Sequence, residues 1–598
     1  MKHLAYLNKY FIRYKWRILA GVFFVICANF LNTYVPDIVQ KAVDEIAANL
    51  NTISNSTQLQ DGLQSKLGHD ILFFFFEYLA VALLAGCFTF LMRQMIIVVS
   101  RKIEFDLKND IYHHYQQLDL AFYRRNNTGD LMNRITEDVS RVRMYVGPAI
   151  MYTVNLFFTI IFVTTRMFMK DAHVAIFVLI PLPILSFLIY YINELIEKAS
   201  SEIQAKLSDL TIDAQETYSG IRVVQAYTRE KEMLEHFTEE SEAYKQKQLS
   251  MAKIDSIYFP AMTFLISCSV IMVVFIGGAQ VGQGKLSPGA IAAFLMFTNM
   301  LMWPVSALGW TASMIQRAIA SQKRINEFLE YKPAVSPEGG IDANIKGEIQ
   351  FDHVSFTYPD TGIEALKDVS FKVAPGQRLA VIGKTGSGKS TIADLLMKMY
   401  NVETGRINID GTDIQKINAK ALRRQIGFVP QDIFLFSETV TGNISFGLDQ
   451  PNEQLAKQYA GYASISNEIE GFPKGYDTIV GERGVTLSGG QKQRISIARA
   501  LAKQPNVLLL DDCLSAVDTA TEKQIQQNLD QALAGKTAII ITHRIFSLIH
   551  FDNIIVLEDG RVVEQGRHEE LLQKGGVYAG IYEKQLYEQK EQVIDLNP

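Results

Sequence analysis

The stretch RLAVIGKTGSGKST, residues 378–391, combines residue types and a spacing that suit phosphate binding. The apolar run Leu379–Ile382 predicts a strand, and Ser390 opens a predicted helix. Glycines between them let backbone N–H groups converge on oxygens, Lys389 adds a point charge, and the Ser390 hydroxyl can join Mg²⁺. This pattern predicts a nucleotide site built from Gly383, Lys384, Thr385, Gly386, Ser387, Gly388, Lys389, Ser390 and Thr391.

A second stretch, VLLLDDCLSAVD at 507–518, has two adjacent acids where a predicted strand ends. Asp511 follows the apolar run Val507–Leu510, and in phosphate-loop proteins an acid so placed holds hydrated Mg²⁺ opposite the loop hydroxyl. We therefore expect Asp511 and Ser390 to share the ion. The part played by Asp512 is not fixed by this stretch alone.

Composition indicates a large protein with a membrane part. The chain has 598 residues, of which 48% are hydrophobic and 11% aromatic, so two or more domains are expected. The net charge of −5 gives no sign of nucleic-acid binding, which favours a basic face. The four cysteines have no spacing that suggests a disulfide framework or a metal site.

Six apolar segments are long enough to cross a bilayer as helices. They cover about 18–39, 72–99, 145–168, 172–193, 257–281 and 288–310. Five Lys and Arg residues precede the first span, whereas the loop 43–70 holds only Lys66. The excess of positive charge on one side predicts a cytoplasmic N-terminus, and an even number of spans returns the chain to that side.

Two charged segments, 100–144 and 196–253, have apolar residues at helical spacing and are expected to project into the cytoplasm as long helices. The first is interrupted by LAFYRRNNTGDL at 120–131, whose Asn and Gly residues favour a turn. SGIRVVQAYTRE at 219–230 is expected to interrupt the second. The alternative is that both segments are ordinary loops.

The rest of the chain has the pattern of an α/β domain. Two prolines and paired glycines mark a linker, and short alternating strands such as IQFDHVSF follow, then strands alternating with helices. We predict a membrane domain over 1–325, a linker over 326–346, a nucleotide-binding domain with a small antiparallel sheet over 347–583, and a polar tail over 584–598.

The motif LSGGQ at 487–491, directly before the helical stretch QKQRISIARALA, completes a resemblance to the ATP-binding cassette exporters. The sequence resembles half-transporters of the multidrug and lipid exporter type along nearly its whole length. The resemblance implies a six-helix, type IV exporter-like membrane domain with long cytoplasmic extensions, fused to an α/β P-loop nucleotide-binding domain. It implies ATP and Mg²⁺ as ligands and a bacterial cytoplasmic membrane as the location.

The resemblance also implies roles for single residues. Tyr358 in FTYPD would stack on adenine, Gln431 in FVPQD would sense Mg²⁺ and the γ-phosphate, and His543 in IITHR would act as the switch histidine. VGERG at 480–484 would touch the membrane domain, and SAVD at 515–518 matches the D-loop. The signature would bind the ATP held by a second chain, through Leu487, Ser488, Gly489, Gly490 and Gln491.

Asp512 departs from the family pattern, which has Glu after the metal-binding Asp to orient the attacking water. The shorter side chain is expected to make a slow site, since a displacement near 1 Å can cost on the order of 100-fold in rate. Backbone adjustment could instead restore its reach. With every other motif intact, we favour a heterodimer in which this chain carries the slow site. A homodimer with two slow sites, or an ATP-gated channel or regulatory protein, are the alternatives.

The transported substrate is expected to be hydrophobic or lipid-like, and its binding residues are open. Polar groups within or near the spans are candidates because they usually face protein or water at membrane depth. They are Asn29, Asn32, Glu77, Asn155, Arg166 and Asn299. Met296, Met300 and Met302 could form an adaptable apolar surface, although packing against lipid would explain each Met at least as well. Contacts between helices would explain most of the polar groups, and Glu77 and Arg166 lie close enough to span ends to reach the interface.

Overall fold

A computed structural model gives the fold of residues 2–54, 60–336, 339–514, 517, 519–544 and 551–595. The chain forms two compact units. The first comprises 1–112 and 132–330, and the second comprises 113–131 and 331–598. Residues 113–131, which lie between the second and third predicted spans, thus belong to the same unit as the predicted nucleotide-binding domain.

Helices build the first unit, and two of them, α4 and α6, include residues of the second. Their bounds are α1 Asn8–Arg13, α2 Lys15–Asn32, α3 Val35–Ser54, α4 Gln60–Tyr115, α6 Thr128–Asn133, α7 Val139–Met144, α8 Ile150–Lys170, α9 Ala172–Leu179, α10 Pro181–Ser219, α11 Ile221–Ala226, α12 Glu230–Gly282 and α13 Pro288–Leu329. Between α6 and α8 the winding loosens to π-helix at Arg134–Asp138 and Tyr145–Ala149. Proline at the first position of α10 and α13 suits a helix start, where its missing N–H costs nothing.

Among the residues that the structure describes, six helical stretches are long and apolar enough to span a membrane, which confirms the six predicted spans. They are Lys15–Asn49, Gly68–Tyr115, Thr128–Lys170, Ala172–Ser219, Glu230–Gly282 and Pro288–Leu329. Four of them continue well beyond the apolar runs as the predicted long helices, so the alternative of ordinary loops is wrong.

The two predicted interruptions are present. After α4 the chain forms the short helix α5, Leu120–Arg125, whose start is capped by Asp119 accepting from the Phe122 N–H at 3.0 Å. The second interruption contains α11, bounded by Gly220 and by Thr228, which adopts a left-handed conformation.

Polar residues within the membrane helices are largely satisfied by neighbouring helices. The Asn29 side chain donates to Asn155 Oδ1 at 2.8 Å and accepts from the Thr159 hydroxyl at 2.5 Å, which joins α2 to α8. Arg166 pairs with Asp37. These contacts account for three of the candidate substrate residues as packing between helices, whereas Asn32 and Asn299 are exposed.

Two sheets form the framework of the second unit. The strands are β1 Ile349–Thr357, β2 Glu364–Val373, β3 Arg378–Gly383, β4 Thr404–Ile409, β5 Thr412–Asp413, β6 Ile426–Val429, β7 Val507–Asp511, β8 Thr537–Ile541, β9 Asn553–Glu558 and β10 Arg561–Gly566. The predicted antiparallel sheet has the order β2-β1-β4-β5, and a six-stranded sheet has the order β10-β9-β3-β8-β7-β6. The neighbours from β9 to β6 are parallel, and their apolar strands are buried, as strands covered on both faces require.

Helices surround these sheets. They are α14 Lys389–Leu396, α15 Ala419–Gln425, α16 Val440–Ile444, α17 Glu453–Tyr462, α18 Ser466–Glu470, α19 Gly489–Ala502, α20 Thr519–Ala532, α21 His568–Lys574 and α22 Val577–Asp595. The helix after the phosphate loop starts at Lys389, one residue earlier than predicted, and ends at Leu396 instead of continuing to Tyr400. The predicted polar tail from 584 is helical as far as 595.

Thr537 links the two sheets through its hydroxyl. The side chain is fully buried at the start of β8, donates to the Gly347 carbonyl at 2.9 Å and accepts from the Gly376 N–H at 3.0 Å. Gly347 precedes β1 and Gly376 lies between β2 and β3. A single hydroxyl therefore satisfies backbone groups of both sheets.

We expect Thr537→Val to lower the thermal unfolding temperature of the second unit in the purified full-length protein. The change keeps the shape but leaves a buried N–H and a buried carbonyl unpaired, at about 1–3 kcal/mol each. Thr537→Ser, which retains the hydroxyl, should unfold close to the wild-type temperature. Equal unfolding temperatures for the Val and Ser variants would contradict this role.

Candidate functional site

A cleft of about 510 Å³ opens at the edge where the strands of the six-stranded sheet end. Eleven of the residues singled out from the sequence line it: Tyr358, Thr385, Gly386, Gly388, Lys389, Ser390, Thr391, Gln431, Asp511, Asp512 and His543. The cleft thus joins the phosphate loop, the acidic pair, the glutamine and the histidine, which lie far apart in sequence.

Backbone constraints give the phosphate loop its shape. Gly388 has φ of 95°, and a Cβ there would lie 2.3 Å from the Ala365 carbonyl oxygen. A Cβ on Gly383 would lie 2.2 Å from the Leu557 carbonyl oxygen. Only glycine fits these two approaches. The loop is therefore pressed against β2 and β9 while its inner side lines the cleft.

Lys389 is held where the loop turns into α14. Its ammonium donates to the Gly383 and Lys384 carbonyls at 2.9 and 2.7 Å, and the residue is only 6% exposed. Burial lowers the pKa of Lys389, and the nearby carboxylates of Asp511 and Asp512 oppose that shift. A buried cation at a glycine-rich loop favours an anion in the cleft.

The two acids differ in their surroundings. Asp511 is 4% exposed and lines the cleft together with Ser390. Burial raises the pKa of Asp511, and the Ser390 side chain opposes the rise. Asp512 has a left-handed backbone with φ of 45°, and its N–H donates to the Ile541 carbonyl at 2.8 Å. That bond extends the β7–β8 ladder by one residue and fixes the backbone from which the Asp512 side chain starts.

His543 lies across the cleft beside the phosphate loop. Burial together with the Lys389 charge lowers the pKa of His543, and the Asp512 charge opposes that shift. The ring is therefore neutral at pH 7, a state in which one ring nitrogen donates and the other accepts. The His543 carbonyl accepts from the Gln585 side chain of α22.

These residues fit a nucleotide phosphate with Mg²⁺. The Ser387 hydroxyl is buried and has no hydrogen-bond partner among the described residues, which leaves a donor at the loop. The Ser390 hydroxyl and the Asp511 carboxylate supply hard oxygen ligands, which Mg²⁺ prefers, and Mg²⁺ usually takes its remaining ligands from phosphate and water. No cluster of three or more His, Cys, Asp or Glu occurs in the part of the chain that the structure describes.

The signature motif lies elsewhere on the same unit. The Ser488 hydroxyl accepts from the Gln491 N–H and the Gln491 side chain accepts from the Ser488 N–H, so the pair forms a capping box at the start of α19. The described residues lining the cleft include no residue of Leu487–Gln491. The helix start therefore lies outside the cleft that this chain's own phosphate loop lines.

The described residues of two further predicted motifs, the D-loop and VGERG, are not among those that line the cleft, and part of the D-loop lies outside the described residues. Of the D-loop stretch 515–518, only Val517 is described, and it is buried. In VGERG, residues Glu482–Gly484 form a single 3-10 turn, and Arg483 has φ of 52°.

Sequence reasoning missed part of the cleft wall. The additional lining residues are Ile363, Glu364, Ala365, Lys367, Ile541, Asp559 and Gly560. Asp559-Gly560 is a hairpin turn between β9 and β10, and the Gly560 carbonyl accepts from the Lys367 N–H at 2.8 Å. The Asp-Gly pair is a strong turn signal in sequence, but nothing in it indicates proximity to the phosphate loop.

Comparison with known proteins agrees with this arrangement. Residues 18–305 match the ABC transporter transmembrane region, and residues 366–515 match the ABC transporter family model. The chain is 32% identical over 602 residues to the multidrug resistance-like ATP-binding protein MdlA of Escherichia coli (strain K12), covering 100% of this chain and 98% of that protein. It is 34% identical over 494 residues to an ATP-dependent lipid A-core flippase of Syntrophus aciditrophicus (strain SB), covering 82% of each.

The fold is similar to that of a bacterial Atm1-family ABC exporter solved with ATP bound. The TM-score is 0.77 at 26% sequence identity, over 95% of this chain and 99% of that one. With an ATP-binding domain and six candidate membrane spans on one polypeptide, and relatives of the same kind along its full length, the chain belongs to the ABC transporter family as an exporter half-transporter that couples ATP hydrolysis to transport.

Proposed function

We propose that this half-transporter exports a hydrophobic or amphipathic substrate across the bacterial cytoplasmic membrane, with its N-terminus and ATP-binding domain in the cytoplasm. The observation that carries this proposal is the cleft itself, which assembles a phosphate loop, an acidic pair, a glutamine and a histidine on a chain with six spans. The relatives named for multidrug resistance and lipid A-core flipping support the substrate class, and the Lys and Arg distribution supports the orientation.

The cleft residues have distinct roles in this proposal. Tyr358 stacks on adenine, and Lys389 turns from the loop carbonyls to the β- and γ-phosphates. Ser390, Asp511 and Gln431 hold Mg²⁺, which neutralises phosphate charge when bound. The neutral imidazole of His543 donates a hydrogen bond to a γ-phosphate oxygen, where charge develops during phosphoryl transfer. Each of these groups belongs to the chain whose phosphate loop holds the nucleotide.

A second chain completes each ATP site. ABC exporters act as dimers in a membrane, and here the start of α19 does not line the cleft. We infer that Leu487–Gln491 bind the ATP held by the partner, where the N–H groups and dipole of the helix start favour an anion. In this proposal the intact signature of this chain completes the ATP site of the partner chain.

Asp512 makes this chain's own site slow. Its carboxylate is one methylene shorter than glutamate, and moving the backbone toward the nucleotide would break the 2.8 Å bond from its N–H to Ile541. This constraint argues against recovery of reach by backbone adjustment. We favour a heterodimer whose partner has glutamate at the equivalent position; a homodimer with two slow sites is the alternative.

Lys389→Ala is expected to abolish labelling of this chain by a photoreactive ATP analogue, because the phosphates lose their buried cation. Lys372→Ala provides the matched control. Its ammonium belongs to the same unit but pairs with Glu348 at 3.1 Å, is largely exposed and does not line the cleft, so labelling should persist. Equal labelling of the Lys389 variant and wild type would remove the phosphate-loop assignment.

Ser488→Ala is expected to lower ATP turnover more than Asp512→Asn in steady-state ATPase assays on the purified complex. This order is the reverse of the one usually expected when the carboxylate after the metal-binding Asp is removed. In the heterodimer Asp512→Asn lowers turnover modestly, since the main water-orienting acid belongs to the partner. Ser488→Ala damages that active site and lowers turnover more. Asp512→Glu should raise turnover, toward the roughly 100-fold geometric limit if placement alone is limiting.

Ser488 also caps α19, so Asn452→Ala is the control for loss of a cap. Asn452 caps α17 by accepting from the Leu455 N–H at 3.0 Å, a bond of the same kind in the same unit. Near-complete loss with Asp512→Asn and little loss with Ser488→Ala would sink the asymmetric assignment, whereas large losses with both variants are expected of a homodimer. Purification with the product of the neighbouring gene, in a 1:1 ratio, identifies the partner independently.

Inverted membrane vesicles containing the complex should accumulate an amphipathic fluorescent dye against its gradient when ATP and Mg²⁺ are supplied. A nonhydrolysable ATP analogue should give no accumulation. An ATP-gated channel behaves differently, because its flux follows the gradient and needs only binding. Dye entry that stops at equal concentrations, or that proceeds fully with the analogue, would rule out the exporter in favour of the channel.

A further inference from the structure

A short segment between the second and third spans packs against the part of the second unit that holds Tyr358, the residue assigned above to adenine. Asp119, which caps α5, accepts from the Ala334 N–H at 2.6 Å, and the Phe122 ring centroid lies 4.9 Å from that of Tyr331. At the other end of α5, the Arg125 guanidinium donates to the carbonyl of Pro359. Both ends of α5 are therefore anchored within the unit that holds the cleft.

Arg124 lies directly beside Tyr358. Its guanidinium carbon is 5.1 Å from the Tyr358 ring centroid and 5.7 Å from the Tyr400 centroid. A guanidinium nitrogen lies 3.7 Å from the Asp394 carboxylate. Arg124 thus contacts an aromatic pair and an acid at once, in the range where a cation over a ring is attracted by the ring's negative face.

Tyr358 is held from several directions by this cluster. Its hydroxyl is hydrogen-bonded to Thr391 Oγ1 at 3.0 Å and donates to Asp394 at 3.3 Å. The Tyr400 ring packs edge-on against it at 5.4 Å between centroids, with an interplanar angle of 88°. Both hydroxyl partners are on α14, the helix that begins with Lys389. The ring is therefore fixed relative to the phosphate loop.

Tyr358 is the member of this cluster that lines the cleft. Neither Arg124 nor Tyr400 is among the described lining residues. Arg124 therefore contacts a ring of the cleft wall without lining the cleft itself. Burial raises the pKa of Asp394, and the positive charge of Arg124 opposes that rise, so the arginine also helps to keep the acid ionised as an acceptor for the tyrosine hydroxyl.

We propose that Arg124 is a positioning residue for adenine binding. It fixes the Tyr358 ring on which adenine stacks, and this contact links α5 to nucleotide binding. The proposal rests on the adenine role given to Tyr358 above. A group that acts through the ring should change the affinity for ATP without changing the affinity for its phosphates alone. Linkage is reciprocal, so ATP in turn stabilises the packing of α5.

The test compares ATP with inorganic tripolyphosphate, which has the phosphates but no base. Both compete with photoreactive ATP for labelling of this chain in the full-length complex. Arg124→Ala should lower the affinity for ATP roughly two- to five-fold, which corresponds to the free energy of an exposed cation–π contact. The affinity for tripolyphosphate should not change. Arg124→Lys should fall between wild type and Ala, because it keeps the charge but not the planar guanidinium. Arg406→Ala, at an exposed arginine on β4, is the control and should alter neither ligand.

Tyr358→Ala separates failure of this inference from failure of the adenine assignment. If it leaves the ratio of ATP to tripolyphosphate affinity unchanged, the assignment of Tyr358 is wrong. If it lowers that ratio while Arg124→Ala and Arg124→Lys do not, only the inference about Arg124 fails. Equal weakening of both ligands by Arg124→Ala indicates general damage, and tighter ATP binding places Arg124 in the path of adenine; either result overturns the proposal.

Hydrogen exchange on the unmodified complex gives a second measurement that needs no variant. ATP should protect the amides of residues 119–125 more strongly than tripolyphosphate does. Equal protection by the two ligands would contradict a link through the base, whatever the stability of the arginine variants.

Discussion

The parallel register of three strands decides where chemistry can occur in this molecule. Val381 of β3 and Asp511 of β7 both pair with Ile541 of β8, so these positions form one row across the sheet. Parallel strands end at a common edge, and the residues that follow therefore meet there. Gly383 and the phosphate loop follow β3, Asp512 follows β7 and His543 follows β8. The cleft is a consequence of this register and of the buried apolar strands that maintain it.

The same constraint explains which parts of the site can be predicted from sequence. A glycine-rich loop between a strand and a helix, and an acid at a strand's end, are local patterns, so Lys389, Ser390 and Asp511 are recognisable one at a time. Their meeting depends on strand order, which local patterns do not specify. The resemblance to a family supplies that order, and with it the placement of Gln431 and His543 in the cleft.

Contacts between segments that are distant in sequence cannot be predicted from local patterns, for a related reason. The break in the helix at 120–131 is predictable from its Asn and Gly residues, but the packing of Arg124 against Tyr358 depends on how that segment folds onto the ATP-binding unit. The same holds for the cleft wall at Asp559-Gly560. The turn itself is evident in the sequence, but its proximity to the phosphate loop is not. Helix ends depend on packing as well: α14 ends at Leu396, although MKMY continues with good helix formers.

Buried charge connects the cleft to its function. Lys389 and Asp511 are both taken out of water, and burial shifts the pKa of each toward the neutral form, so a ligand with phosphate charge and a divalent ion compensates both at once. Asp512 is the exception at this edge. Its backbone N–H is bound to Ile541 in the same ladder that places Asp511, so its backbone cannot advance without disturbing the strand pair. The rigidity that positions Asp511 thus also constrains the backbone of its neighbour. The slow hydrolysis proposed for this chain's own site rests on that constraint together with the short aspartate side chain.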